Sequence, residues 1–169
     1  YRHAVWARAL AESGVEDDTL ADEISERYRQ ERATRHELFP DTLPAIESLS
    51  GDFRLAILTN GAVDVQRRKL AGVGIESSFD AVVITGGLGV GKPDPHPFEV
   101  TLERLGVSAD RAAMVGNSLY SDVQGALNAG LLAVWLEREG AWSDPEDSIT
   151  IAPDITIHTL TELPGVLLR

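Results

Sequence analysis

The sequence contains no cysteine, few basic residues relative to acidic ones, and no long apolar run. Without cysteine, disulfide bonds, thiolate metal ligands and a cysteine nucleophile are all excluded. Because 15 Lys and Arg stand against 27 Asp and Glu, the formal net charge is −12, whereas nucleic-acid and anionic-membrane surfaces need basic patches. No apolar stretch approaches the roughly 20 residues of a membrane span, and no signal peptide is visible. These absences predict a cytoplasmic protein that binds neither nucleic acid nor membrane.

Hydrophobic residues make up 43% of the 169 residues, which is enough for the core of one domain with a small appendage. Up to about residue 38 the pattern is helical and highly charged, with no strand candidate. Beyond it, apolar strand candidates alternate with amphipathic helix candidates. The predicted strands are 53–58, 79–84, 111–115, 131–137 and a short edge strand after 154, and the predicted helices are 62–72, 95–106 and 121–130. This alternation predicts the α/β class, with a Rossmann-like parallel sheet covered by helices on both faces.

Polar residues follow three of the predicted strands. In open α/β sheets ligands bind beyond the carboxyl ends of the strands, so we expect these side chains at one edge of the sheet. They are Thr59, Asn60 and Gly61 after the first strand, Lys92 in the loop "GVGKPDP", and Asn117 and Asp122 after the third.

Each of these features also has a simpler interpretation. Asn-Gly is a strong turn former, and a lysine in a loop rich in glycine and proline is usually solvated. Asp122 or Ser121 would equally serve to cap the helix that follows. Taken singly, these residues therefore do not identify a site.

The order of the motifs is more specific than any one of them. The segments "LTNG", "GKPDP" and "VGNSLYSDVQGALNAG" together resemble the haloacid dehalogenase superfamily, in particular its phosphatase-like members with a helical cap. The resemblance runs from about residue 38 to 136. It implies that residues 1–38 are part of the cap and that residues 39–169 form the Rossmann-like core.

The resemblance also implies roles for the residues. Thr59 would hydrogen-bond the transferring phosphoryl group, with Asn60 and Gly61 completing the phosphate-binding turn, and Lys92 would neutralise charge on the nucleophile and the phosphate. Two further residues, Asn117 and Asp122, take the positions of the acidic pair that binds Mg²⁺. The family reaction is attack by an aspartate on a phosphate monoester, followed by hydrolysis of the aspartyl-phosphate.

Two departures from the family pattern stand out. The family's nucleophile lies in an Asp-x-Asp motif at the end of a central first strand, and no Asp-x-Asp occurs in this sequence. We therefore expect that strand to be missing and this chain alone to be inactive. We further expect that the fragment alone is unstable, dimerises or swaps strands, or that the missing segment is present but unobserved. Asn117 brings no charge to the metal site, so we expect weaker Mg²⁺ binding than an aspartate would give.

The sequence-based prediction is a Mg²⁺-dependent hydrolase, most simply a phosphatase acting on a small phosphorylated metabolite. Three alternatives stay open at this point. One is a 2-haloacid dehalogenase, which shares the fold and needs no metal. Another is a phospho-acceptor module of the receiver type, although such a module ends shortly after its lysine. The third is a non-catalytic binding or scaffold protein of the same ancestry.

Overall fold

The computed structural model describes residues 2–34, 36–138 and 151–168, and the chain divides into two compact units. The first unit, Tyr1–Glu37, contains helices α1 (Arg2–Glu12) and α2 (Asp18–Thr34). Helix α2 is capped at its start, because the Asp17 carboxylate accepts a hydrogen bond from the Leu20 backbone at 2.9 Å.

The second unit, Leu38–Arg169, carries all of the strands in the described part of the chain. They are β1 (Ala56–Thr59), β2 (Ala81–Ile84), β3 (Ala113–Gly116), β4 (Leu132–Leu136) and β5 (Ile155–Ile157). Every pairing is parallel, in the order β1-β2 and β3-β4-β5. The predicted parallel α/β class is therefore confirmed, with the strands arranged in two separate sheets.

Helices connect the strands: α3 (Thr42–Leu49), α4 (Val63–Val73), α5 (Pro95–Leu105), α6 (Gly125–Asn128) and α7 (Leu163–Leu167). The sequence pattern did not reveal α3. The predicted end of α4 at Gly72 is wrong, because the helix continues to Val73 and is capped by Gly74, which adopts the left-handed conformation (φ +68°) that favours glycine. Asp94 caps α5, and its carboxylate accepts from the His96 backbone at 2.9 Å.

Helices pack on both faces of the β3-β4-β5 sheet, because adjacent side chains of a strand point to opposite sides. On β4, Ala133 belongs to a cluster with Phe98 of α5, whereas the next residue, Val134, packs with Leu49 of α3 and Leu163 of α7. The two clusters are the hydrophobic core of this unit and hold its parallel strands from both sides.

A partly buried ion pair ties the beginning of the second unit to the end of β4. The Arg138 guanidinium donates to both carboxylate oxygens of Asp41, at 2.9 and 2.8 Å, and lies 4.2 Å from the centre of the Phe39 ring. The Leu160 backbone donates to Asp41 as well, at 2.9 Å. Partial burial raises the pKa of Asp41, but the Leu160 N–H and the Arg138 charge together outweigh it and hold this pKa below its usual 3.8.

No helix in residues 2–34, 36–138 and 151–168 is both long and apolar enough to cross a membrane.

Candidate active site

A lysine and an aspartate meet at the carboxyl edge of the strands. The Lys92 ammonium lies 2.5 Å from Asp122 Oδ1 and donates to the Leu58 carbonyl of β1 at 3.0 Å. Both charged side chains are more than nine-tenths buried. The pair therefore joins the loop before α5 to the segment after β3, and it places a positive charge beside the end of β1.

The Asn60 carboxamide fixes the backbone of Lys92. Its Oδ1 accepts from the Lys92 N–H at 2.9 Å, and its Nδ2 donates to the Lys92 carbonyl at 3.0 Å. Glycine at position 91 leaves room for this carboxamide, since a Cβ there would lie only 3.0 Å from Asn60 Oδ1. These two hydrogen bonds join residues 32 positions apart. They fix the position of the Lys92 backbone, and so the point from which its side chain extends into the site.

Thr59, the last residue of β1, is contacted by a residue that the sequence patterns did not single out. Gln66, in the first turns of α4, donates through Nε2 to Thr59 Oγ1 at 2.6 Å and to the Asn60 carbonyl at 2.7 Å. Gly61 completes this turn with φ +123°, and its carbonyl accepts from the Gly86 backbone at 3.0 Å. The local sequence carries no clear signal for Gln66, because charged residues precede and follow it in α4.

The segment after β3 differs from the predicted helix over 121–130. Helical structure begins earlier, with a π-helical stretch Leu119–Gln124 that leads into α6. Ser118 is its cap, since the Ser118 hydroxyl accepts from the Ser121 backbone at 2.9 Å. The interpretation of Ser121 or Asp122 as the cap is therefore wrong, and the Asp122 side chain is used in the site instead. Short π-helical insertions of this kind are frequent at functional sites.

The Asp122 carboxylate is held from two sides. Its Oδ2 accepts from the Ser118 backbone at 3.1 Å, while Oδ1 faces Lys92. Gly116 makes this position possible, because a Cβ at that residue would overlap the carboxyl carbon of Asp122. The glycine that ends β3 is therefore required by the close approach of a carboxylate.

Asn117 lies at the same edge, with an exposed side chain. Its backbone carbonyl accepts from the Trp135 indole of β4 at 3.1 Å, which ties the turn to the neighbouring strand. The structure thus joins Thr59, Asn60, Lys92 and Asp122 in one hydrogen-bonded network, and it positions Asn117 through its backbone alone.

The side-chain oxygens of Asp122 and Asn117 could supply some of the ligands of a hard cation such as Mg²⁺. Mg²⁺ is usually held by one or two carboxylates together with waters and substrate phosphate. Asp122 has one lone pair left on each oxygen after the contacts to Lys92 and Ser118, and the Asn117 amide oxygen is a neutral donor of the same kind. Asp122 and Asn117 therefore fit as part of a magnesium site. They do not make a complete one, since no cluster of three His, Cys, Asp or Glu is found among the described residues.

Comparison with known proteins identifies the family. Residues 3–130 match the haloacid dehalogenase-like hydrolases, and the chain belongs to that family. A phosphoserine phosphatase from Thermus thermophilus is 40% identical over 96% of the chain, which spans 64% of that relative's length.

Two solved structures are also similar. HAD-hydrolase YfnB from Bacillus subtilis, in a crystal structure bound to magnesium, superposes with a TM-score of 0.82 at 28% identity, over 99% of this chain and 72% of the other. A 2-haloacid dehalogenase from Pseudomonas syringae superposes with a TM-score of 0.69 at 35% identity, and the match covers 99% of this chain and 70% of the dehalogenase. The family named from the three motifs is therefore confirmed, and its relatives include both phosphatases and dehalogenases.

Proposed function

We propose that the protein is a Mg²⁺-dependent phosphatase that hydrolyses a small phosphate monoester through an aspartyl-phosphate intermediate. The buried Lys92 ammonium, held between Asp122 and the Leu58 carbonyl near the end of β1, is the observation that carries this proposal. A phosphoryl group in transfer spreads negative charge over its equatorial oxygens, and catalysis consists largely of positioning them and balancing that charge. The similarity to a phosphoserine phosphatase supports the phosphatase assignment.

Lys92 has the hydrogen-bonding capacity that this role requires. An ammonium carries three hydrogens, and the Leu58 carbonyl and the Asp122 carboxylate account for two of them. The third donates to a phosphoryl oxygen. Because Asn60 holds the lysine backbone and Asp122 holds its ammonium, the charge is in place before substrate arrives and costs no reorganisation.

Thr59 and the turn after it bind the other side of the same group. Its hydroxyl lies at the carboxyl end of β1, and the backbone N–H groups of Gly61 and Ala62 precede the first turn of α4, where a helix favours an anion. Asp122 and Asn117 would hold Mg²⁺, which when bound supplies further positive charge against the phosphate. Since only one of these two ligands is charged, we expect the metal to be held weakly.

The test uses the full-length protein, because the family's Asp-x-Asp nucleophile motif is not present in this sequence. Phosphate release is measured from p-nitrophenyl phosphate and from a panel of phosphorylated amino acids and sugars, with Mg²⁺ and with EDTA. We expect turnover that requires Mg²⁺ and that falls at least ~100-fold in Lys92→Met. The exposed Arg68→Met serves as the control and should retain full activity.

The same assay separates the alternatives. The solved dehalogenase neighbour makes halide release from 2-chloropropionate the necessary second measurement. Halide release that persists in EDTA, without phosphate release, would establish a dehalogenase instead. Absence of both activities in the full-length protein would support the non-catalytic binding protein.

A further inference from the structure

In the hydrogen bond between Gln66 and Thr59, the donor and the acceptor can be assigned. The Asn60 backbone carbonyl only accepts hydrogen bonds, so the Gln66 atom 2.7 Å from it must be the amide nitrogen. That same nitrogen lies 2.6 Å from Thr59 Oγ1. Since an amide NH₂ only donates, the threonine hydroxyl oxygen must accept, and the hydrogen of the hydroxyl points elsewhere.

The hydroxyl hydrogen has no strong partner within this turn. The nearest acceptor, the Asn60 carbonyl, is 3.3 Å from Thr59 Oγ1, longer than the usual 2.7–2.8 Å of such bonds, and it already receives Gln66 at 2.7 Å. The hydrogen is therefore available to an oxygen of a bound anion. Gln66 itself has both amide hydrogens engaged, so it does not act as an anion ligand.

We propose that Gln66 is a positioning residue, which holds the Thr59 hydroxyl as a donor toward the phosphoryl group. This inference rests on the proposed phosphatase function and adds a residue to it. Gln66 also ties α4 to the end of β1 through Asn60, so it sets the distance between the hydroxyl and the first turn of the helix. It acts on substrate through Thr59 and makes no contact with substrate of its own.

Two substitutions of Gln66 test whether it orients the Thr59 hydroxyl: one reverses the orientation and the other removes it. Gln66→Glu keeps the shape of the side chain but has no donor, so the Thr59 hydroxyl turns its hydrogen toward the glutamate and away from the phosphate. Gln66→Met removes the bond and leaves the hydroxyl free to rotate. We expect kcat/KM to fall about 10-fold in the methionine variant and about 100-fold or more in the glutamate variant.

A double-variant cycle separates positioning from mere stabilisation of the turn. If Gln66 acts through Thr59, the variant Thr59→Ala/Gln66→Met should be no slower than Thr59→Ala alone. Two independent losses that multiply in the double variant would overturn the inference. The control is Arg68→Met, since Arg68 lies on the exposed side of the same helix and pairs with Asp64; it should leave kcat/KM unchanged.

A binding measurement makes the outcome independent of turnover. Calorimetric titration of the full-length wild type and the same variants with inorganic phosphate should show the same order of affinities and the same lack of additivity. If phosphate monoesters are hydrolysed and Thr59→Ala is impaired, but the Gln66 variants behave as wild type, only this inference fails. If the wild type neither binds phosphate nor hydrolyses its esters, the proposed function is wrong, and the inference about Gln66 is wrong as well.

Discussion

The buried pair of Lys92 and Asp122 makes the strongest quantitative prediction about this protein. Its two charged atoms lie 2.5 Å apart, and their side chains are 8% and 9% exposed. With an effective dielectric constant of about 20, the attraction between them is about 7 kcal/mol before desolvation is subtracted. Removing one partner leaves the other charge buried and unpaired, which costs about 3–5 kcal/mol in such pairs. We therefore expect Lys92→Met to lower the free energy of unfolding by that amount.

A double-mutant cycle isolates the pair. Asp122→Asn keeps the shape of the side chain and its acceptor for the Ser118 N–H, while it removes the charge that faces Lys92. The double variant Lys92→Met/Asp122→Asn should be more stable than the two single losses predict, by about 1–3 kcal/mol. The measurement is urea unfolding at neutral pH in the full-length protein, followed by circular dichroism and tryptophan fluorescence, with the slope of the transition checked for constancy.

The chain provides a matched control for this cycle. Arg68 and Asp64 form an ion pair at 3.0 Å on the surface of α4, with side chains 67% and 73% exposed. Because water screens such a pair, its coupling should be below about 0.5 kcal/mol. A coupling for Lys92 and Asp122 as small as that of the surface pair would refute the argument that burial makes this contact strong.

Three further predictions concern other parts of the second unit. A Cβ at Gly125 would lie 2.5 Å from the Phe98 ring, so Gly125→Ala should cost about 1–3 kcal/mol in thermal or urea unfolding. Arg138→Met should cost about 1–3 kcal/mol at pH 7. That difference should disappear as the pH falls below 3.8 through the lowered pKa of Asp41, because only the ionised carboxylate stabilises the fold; a constant difference between pH 7 and pH 3 would contradict this. Asn117→Asp should tighten Mg²⁺ binding at least about 10-fold by calorimetry, and an unchanged affinity would remove Asn117 from the proposed ligands.

Much of the fold was predictable because it depends on neighbouring residues. Apolar runs such as the one in β1, Ala56–Thr59, identify parallel strands, and Asp94 before a proline at the first helical position marks the start of α5. The helix α3 escaped prediction, because its eight residues include Pro44 and follow a turn, so its apolar face is short. Its stability comes from packing with Leu163 and Val134, which no local pattern reveals.

The sequence predicted where a site would lie, but not how its residues connect. The rule that ligands bind beyond the carboxyl ends of parallel strands placed Thr59, Lys92 and Asp122 at one edge of the sheet, whereas Gln66 was not predicted. Whether Asp122 caps a helix or faces the site could not be decided locally, since both interpretations use the same residue at the same turn. The structure decides it through Lys92, a partner 30 positions away.

The sequence by itself determined the α/β class, the family and the order of strands and helices in the second unit, because these depend on periodicity and on short motifs. Only the tertiary structure decided which polar atoms meet: the amide of Gln66 and the hydroxyl of Thr59, the carboxamide of Asn60 and the backbone of Lys92. Hydrogen bonds act over about 3 Å, and chain folding alone brings such residues within that distance. The direction in which the Thr59 hydroxyl donates is therefore a property of the folded protein.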